Sequence, residues 1–540
     1  MSIHSAAANK HLLSPAGSPA GEHFVRDPGP AFRPRQSTDK QVTQMDQASQ
    51  VLSQATAPSA NVETVDVDAV NKKEERSLYK ARVKIYPKRA KGVFRKLKWL
   101  VMAITLAIYY IAPWIRWDRG LNAPDQAILI DFPTRRFYFF FIEIWPEEVY
   151  YLTGLLIIAA LLLFLVTSLA GRVWCGYTCP QTVWTDLFIW VERLVEGDRS
   201  ARIRLDKAPL SIGKVARKTV KHVLWILIGM ATGGAWIFYF ADAPSLFVDL
   251  FTLQAPIVAY STVAVLTATT YIFGGMMREQ VCTFMCPWPR IQGALVDEDS
   301  LIVSYKEDRG EQRAPFRKDM DWETRGDCID CNQCVAVCPM GIDIRDGQQL
   351  ECIHCALCID ACNDVMTRID RPLNLISYDT YVNHERRAAG EPEQKPRIFR
   401  ARTVIYAALI AIVGLIMLAT LITRSTLDIN ILHDRNPLFV KLSDGGIRNG
   451  YTIKILNKQH EVRHFRIAVD GLENALISVV GLDGTTGLAV PADRLAQFRV
   501  FVAVPAANAP DGRADFDFIV TDLDDGNIAV NDTVFRGPEQ

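Results

Sequence analysis

The chain lacks an excess of either charge: 60 lysines and arginines face 60 aspartates and glutamates across 540 residues. A formal net charge of zero leaves no electrostatic footprint for nucleic acid, so no nucleic-acid partner is expected. Cysteine is missing from the first 170 residues and from everything after Cys362. All twelve cysteines fall between Cys175 and Cys362, which is not how a disulfide-stapled secreted protein distributes its thiols. No glycine-rich nucleotide fingerprint is present, so a flavin or NAD site is not expected. Histidine is sparse in the apolar runs, where only His222 comes close, so a transmembrane haem on paired histidines is not expected either. No apolar core follows Met1, and a secretory leader is not expected there. Residues 1–70 are short of large apolar side chains and rich in Ala, Ser, Pro and Gln. They cannot bury enough surface to offset their ordering entropy, and read as a disordered tail.

What the chain does have is long apolar runs set between charged stretches. Residues 71–98 form a basic segment, from Lys72 to Lys98, directly before the first of these runs. Five membrane spans are expected near 99–116, 148–170, 221–241, 255–277 and 403–423. The stretch 171–220 is strongly basic, and so is the long loop 278–402, which marks both as cytoplasmic. The short link 242–254 carries acids and no Lys or Arg, which places it outside. The link 117–147 is mixed and falls outside by alternation alone. The expected topology puts the N-terminus inside and the C-terminus outside. Residues 99–277 are then a four-span membrane domain, 278–402 a cytoplasmic loop, and 403–423 the fifth span.

Two cysteine runs in the 278–402 loop carry the chemistry. One is Cys328-x-x-Cys331-x-x-Cys334-x-x-x-Cys338-Pro339, and the other is Cys352-x-x-Cys355-x-x-Cys358-x-x-x-Cys362-Asn363. This is the bacterial ferredoxin spacing, written twice, and it predicts two four-iron four-sulfur (4Fe-4S) clusters in a ferredoxin-like domain at about 320–370. Three thiolates from one loop reach three irons of one cube, while the fourth cysteine of each run reaches the other cube. Cys328, Cys331, Cys334 and Cys362 are therefore assigned to one cluster, and Cys352, Cys355, Cys358 and Cys338 to the other. Asn363 stands where the motif has proline, and altered packing is expected around Cys362. His354, inside the second run, reads first as a surface histidine, with tuning of the cluster potential by hydrogen bonding or charge as the alternative.

The other four cysteines form a second constellation at the membrane edge. Cys175-Gly-Tyr-Thr-Cys179-Pro180 follows the second span, and Cys282-Thr-Phe-Met-Cys286-Pro287 follows the fourth. Each is C-x-x-x-C-P with an arginine shortly before it, Arg172 or Arg278, which reads as an internal repeat of a two-span unit. On a helix, cysteines at i and i+4 share a face and can chelate one metal. Soft thiolates with Met285 nearby favour Cu(I) over hard ions. A redox-active dithiol, a zinc site and plain packing are the rival readings, and one shared site or two would serve.

After the fifth span the periodicity changes from helical to two. Tyr451, Ile453 and Ile455 alternate with polar residues, as do Phe465, Ile467 and Val469, and then Phe498, Val500, Val502 and Val504. Asp444-Gly445-Gly446 and Asp524-Asp525-Gly526 are turn signals. Residues 424–540 are expected to form an immunoglobulin-like β-sandwich of about seven strands.

Taken together, the spans, the two C-x-x-x-C-P motifs, the paired ferredoxin runs and the C-terminal sandwich resemble the cytochrome c oxidase accessory proteins of the FixG/RdxA/CcoG type. The resemblance covers about residues 75 to 540. It implies a bacterial inner-membrane oxidoreductase with a periplasmic C-terminal domain. It further implies a cupric reductase that makes Cu(I) for a cbb₃-type oxidase, with Cys175, Cys179, Cys282 and Cys286 as copper-binding catalytic residues. Partners implied are the oxidase assembly machinery or copper-delivery proteins, together with an unidentified electron donor. An electron-transfer subunit of a quinone-linked or nitrate-linked chain, and a non-catalytic assembly scaffold, are the alternatives.

Overall fold

The computed structural model describes residues 62–71, 83–120, 123–317, 321–425, 427–482 and 484–538. Among these, five helices are long and apolar enough to cross a membrane: Val93–Trp114, Pro146–Ala170, Ile212–Ile237, Ile257–Met277 and Ala401–Ile422. At 1.5 Å per residue each one reaches across about 30 Å of hydrocarbon. The second and fifth are the most apolar, with mean hydropathy 2.6 and 2.7, and they pack on each other. The third and fourth pair through small residues. A Cβ added to Gly229 would lie 3.1 Å from the Thr267 carbonyl oxygen, and one on Gly233 would lie 2.9 Å from that of Val263. Such close approach favours helix association where lipid offers no hydrophobic drive.

The first and third helices start well before the apolar runs do. Ile212–Ile237 is opened by Ser211, whose hydroxyl accepts from the Lys214 N–H. Its first turns carry Lys214, Arg217, Lys218 and Lys221, so these cations sit on the helix and not in a loop. The basic stretch 171–220 is itself largely helical, as Val173–Tyr177, Pro180–Glu196 and Arg199–Lys207. Spans two and four end alike. Gly171 has φ 57 and ψ −125, and Arg278 has φ 47 and ψ −111. Each of these left-handed breaks is followed by a short helix, a cysteine and a proline that opens a new helix, Pro180–Glu196 or Trp288–Leu295.

At this end of the bundle lies the cysteine-rich domain. Its helices Gln333–Val337 and Leu357–Arg368 pack together, beside an antiparallel pair of strands, Ile302–Tyr305 and Ile376–Asp379. The expectation that the chain is disordered through residue 70 is corrected at its end. Residues 62–71 lie extended on this domain: Val65 N–H donates to the Cys331 carbonyl (3.1 Å), and Val70 N–H to that of Gly341 (2.8 Å). Val62 is buried there and Val67 packs on the same core, which supplies the burial that the composition of the tail as a whole did not suggest. Residues 1–61, also in the expected tail, lie outside the described residues.

At the opposite end the link 117–147 folds into a three-stranded antiparallel sheet, Ile128–Asp131, Arg136–Phe139 and Ile142–Ile144. It docks on the C-terminal sandwich. Arg136 pairs with Glu143 (3.0 Å) and Asp493 (3.4 Å), and Glu148 pairs with Arg424 (2.9 Å) and Lys458 (3.3 Å). The sandwich has nine strands among the described residues. One sheet runs Leu476–Val479, Leu495–Val504, Ile447–Asn457, Leu427–His433, with Val440–Lys441 beside Ile447–Asn457. The other runs Thr486–Val490, Arg463–Asp470, Arg513–Asp522, Ile528–Arg536. Tyr451, Ile453, Ile455, Phe465, Ile467, Val500, Val502 and Val504 all point into the core between them.

Candidate metal centre

Both cysteine runs wrap by the same backbone device. In the first, Asp330 (φ 50) and Asn332 (φ 55) flank Cys331; in the second, His354 (φ 50) and Ala356 (φ 59) flank Cys355. Left-handed residues at equivalent positions curl each loop so that its thiols converge. The fourth cysteines cross over: Cys362 lies near Cys331 and Cys328, and Cys338 near Cys355. Cys334, Cys338, Cys352, Cys355 and Cys358 line one internal space. Burial pushes the Cys338 thiol up to about 11, and the backbone N–H groups of Met340, Gly341 and Ile342 pull it back by donating to it. Beside the first run Arg345 holds Asp330 (2.6 Å), Asn332 (2.7 Å) and Asp343 (2.6 Å), which fixes a cation next to Cys334 and Cys328. Asn363 is in the interior of helix Leu357–Arg368, where a proline would remove a helical hydrogen bond. The first run instead leaves its helix at Val337, with Cys338 extended, as a residue before proline prefers.

The two membrane-edge pairs come together in one place. Cys175 has Cys179 and Cys286 in its electrostatic surroundings, and Cys282 has Cys179, Cys175 and Cys286. Burial pushes Cys175 up to about 11 and Cys282 up to about 12, against the pull of the Arg172 guanidinium. The Cys175 thiol donates to Gln292 Oε1 at 3.1 Å, and Thr182 Oγ1 donates to the Cys175 carbonyl at 2.6 Å. Arg278 is held by Glu192 (2.7 Å), and its carbonyl accepts from Gln181 Nε2 (3.1 Å).

This four-thiol cluster abuts the second ferredoxin run. Cys175 belongs to the same buried core as Cys328, Cys334, Cys352 and Cys355, and Cys282 packs against it. The contact is backbone-close: a Cβ on Gly176 would lie 2.6 Å from the Ile353 carbonyl oxygen and 3.1 Å from Cys355 N. Tyr177 Oη donates to the Cys355 carbonyl at 3.3 Å. His354 is not a surface residue. It is 1% exposed, and its Nδ1 accepts from the Arg172 N–H at 2.9 Å. Burial and the Arg172 charge push it down to about 4, so the ring is neutral at pH 7 and serves as the clasp between the two constellations.

Thiol spacing tests what these loops can hold. No three of the twelve sulfurs lie within 4.8 Å of one another. Four thiolates on one tetrahedral ion sit about 4 Å apart, given bonds near 2.3 Å. A wider spread suits a cluster in which each iron takes one thiolate, so the two ferredoxin runs fit iron–sulfur groups. A family model described as a 4Fe-4S dicluster domain matches residues 277–381, and one described as a 4Fe-4S binding domain matches 152–197. A third, the Ig-like fold at the C-terminus of FixG, matches 417–538. The chain is 52% identical over 495 residues to the nitrogen fixation protein FixG of Rhizobium meliloti, covering 86% of this chain and 94% of that protein. It is 53% identical over 468 residues to protein RdxB of Cereibacter sphaeroides, covering 85% and 98%. The chain belongs to the FixG/RdxA family. With its apolar helices and 4Fe-4S domains, this FixG-family chain is a multi-pass membrane protein for iron–sulfur electron transfer. The ferredoxin-type protein NapH of Escherichia coli is also similar, 25% identical over 231 residues, or 40% of the FixG-family chain and 67% of NapH.

Sequence reasoning missed Gln292, Arg345 and Gly176. Gly176 had a signal, as a small residue inside a metal motif, where a close backbone approach is the usual demand. Gln292 and Arg345 had none, because each lies outside the motif it serves.

Proposed function

We propose that this chain reduces Cu(II), its substrate, to Cu(I) on Cys175, Cys179, Cys282 and Cys286. The observation that carries this reading is the gathering of four soft donors against the second ferredoxin run, spaced so that no more than two of them reach one ion. We assign Cys328, Cys331, Cys334 and Cys362 to one 4Fe-4S group and Cys352, Cys355, Cys358 and Cys338 to the other. These groups, when bound, supply electrons singly, the number that Cu(II) takes up. The thiolates prefer the reduced ion. Gln292 orients Cys175 through its 3.1 Å contact, and Arg172 offsets the negative charge that four thiolates would gather. The basic residues of 171–220 and 278–402 support a cytoplasmic face for both thiol constellations and a periplasmic sandwich, in a bacterial inner membrane. The reading extends to assembly of a cbb₃-type oxidase, with its assembly machinery or copper-delivery proteins as partners.

The test is the double change Cys282→Ser and Cys286→Ser. Anaerobically purified protein is expected to keep about eight irons per chain, the content of two cubes. Its copper binding and Cu(II) reduction are expected to fall sharply, because a hydroxyl is a poor Cu(I) ligand. Normal copper binding and rate in this variant and in Cys175→Ser with Cys179→Ser would refute the copper reading. A second reading is favoured by the match to 152–197, which contains Cys175 and Cys179, and by the same wide spacing of the four sulfurs. In it the membrane-edge thiols hold an additional cluster. That reading expects about twelve irons per chain, falling to about eight in either double variant.

A further inference from the structure

The first, third and fourth spans and the short helix Ala243–Thr252 leave between them a cavity of about 1010 Å³. This is at the upper end of what small-molecule sites offer. Trp114, Phe247, Phe251, Ile226 and Met230 make its walls apolar, and Phe251 is 75% exposed at its edge, where lipid would lie. Tyr110, Tyr260, Thr267 and Tyr271 are its polar members. Of these, Tyr271 has a titratable partner just behind the lining, its hydroxyl lying 2.9 Å from Nδ1 of His222. An ionisable ring inside a membrane span is costly to keep and points to function.

Tyr271 also opens the π-helix Tyr271–Met277 that leads to Arg278 and on to Cys282. π-turns of this kind gather at functional sites. From the pair, an aromatic string runs towards the cysteines. Trp225 meets His222 edge-on at 5.2 Å and Tyr271 at 6.1 Å, and stacks on Phe188 at 5.2 Å with the planes 12° apart. The Arg278 guanidinium lies over Trp225 at 5.4 Å. Beside His222, Lys221 pairs with Glu196 at 3.1 Å, and Glu196 pairs with the partly exposed Lys218 at 2.9 Å, a charged route towards water.

We propose that this cavity binds a membrane quinone, head group towards Tyr271 and isoprenoid tail among the aromatic walls, and that Tyr271 and His222 exchange its protons. Quinol oxidation releases two electrons and two protons. The two iron–sulfur groups, when bound, would take up one electron each; the protons pass from the quinol hydroxyls to the Tyr271–His222 pair and out past Lys221 and Glu196. The reverse direction takes up the same two electrons and two protons. The site requires no copper and goes beyond the copper reading, which can fail without affecting it.

The test uses the full chain in lipid nanodiscs, free of copper, with decylubiquinone as the probe. Saturable quenching of tryptophan fluorescence reports binding, independently of any electron transfer. Gly234 lines the cavity, and a Cβ added there meets nothing within 4 Å, so the side chain of Gly234→Phe starts into open space at the cavity wall. It is expected to weaken binding by about tenfold or more. Tyr271→Phe keeps the ring and removes only the hydroxyl that faces His222. Its exchange of electrons between decylubiquinone and dithionite-reduced clusters, or between the quinol and oxidised clusters, is expected to slow by about a hundredfold. Absence of saturable binding, with phospholipid alone in the cavity, overturns the proposal. So does unchanged binding in Gly234→Phe, or unchanged electron exchange in Tyr271→Phe.

Discussion

Glu192 is fully buried between Arg202 (2.8 Å) and Arg278 (2.7 Å), with Lys221 close by. Burial works to raise its pKa, but Arg278, Arg202 and Lys221 outweigh it and hold the carboxyl at about 2. A depressed native pKa stabilises the fold above the unfolded value near 4.3, and that contribution is lost as pH falls towards about 2. Glu192→Gln leaves buried cations without their anion, and such breaks cost about 3–5 kcal/mol. Thermal unfolding in detergent is expected to show this loss at pH 7, with the gap between variant and parent closing as the pH is lowered towards 2. Because Glu192 anchors Arg278, the residue that ends the fourth span, the second cysteine pair is expected to loosen with it. Gly176 makes a sharper demand. Even Ala puts a Cβ 2.6 Å from the Ile353 carbonyl oxygen, so Gly176→Ala must push the membrane-edge loop away from the second ferredoxin run. On the proposed copper reading, single-turnover Cu(II) reduction is expected to slow at unchanged iron content; an unchanged rate would mean that this contact does not set the transfer.

Between elements, one carboxylate joins the membrane to the cysteine-rich domain. Asp360, on helix Leu357–Arg368, accepts from the N–H groups of Phe94 (3.2 Å) and Arg95 (2.7 Å) and so caps the first span from a distant part of the chain. A carboxylate there satisfies orphan donors and complements the helix dipole. Asp360→Ala is expected to cost about 1 kcal/mol or more and to raise hydrogen exchange in the first turn of Val93–Ile111. No cap for this helix was visible from its own sequence, because the preceding residue is Gly92 and the capping group is more than 260 positions away. Asn363 shows the reverse case. Its departure from the motif suggested only altered packing around Cys362, and the reason lies in the helix that continues past Cys362 to Arg368.

On the scale of the whole molecule, the cysteine-rich domain and the sandwich stand at opposite ends of five helices. Reporter fusions at Glu307 and Asp470 are expected to read opposite sides of the membrane, Glu307 cytoplasmic; a cytoplasmic signal at both would break the five-span count. The sequence by itself determined whatever depends on neighbours in the chain. Ligand spacing within a loop, twenty-residue apolar runs and period-two strands are local patterns, and each specifies its element through a few adjacent residues. Tyr451, Ile453 and Ile455 are buried for this reason. Tertiary structure alone decided what lies between elements: the merging of two cysteine pairs into one cluster, the burial of His354 beneath Arg172, the docking of residues 62–71, and the clasp of Arg136 on Asp493. These contacts join residues up to several hundred positions apart. The physical reason is that they follow from how apolar faces are buried once the helices and strands exist, and no local spacing encodes which distant backbone will supply the partner.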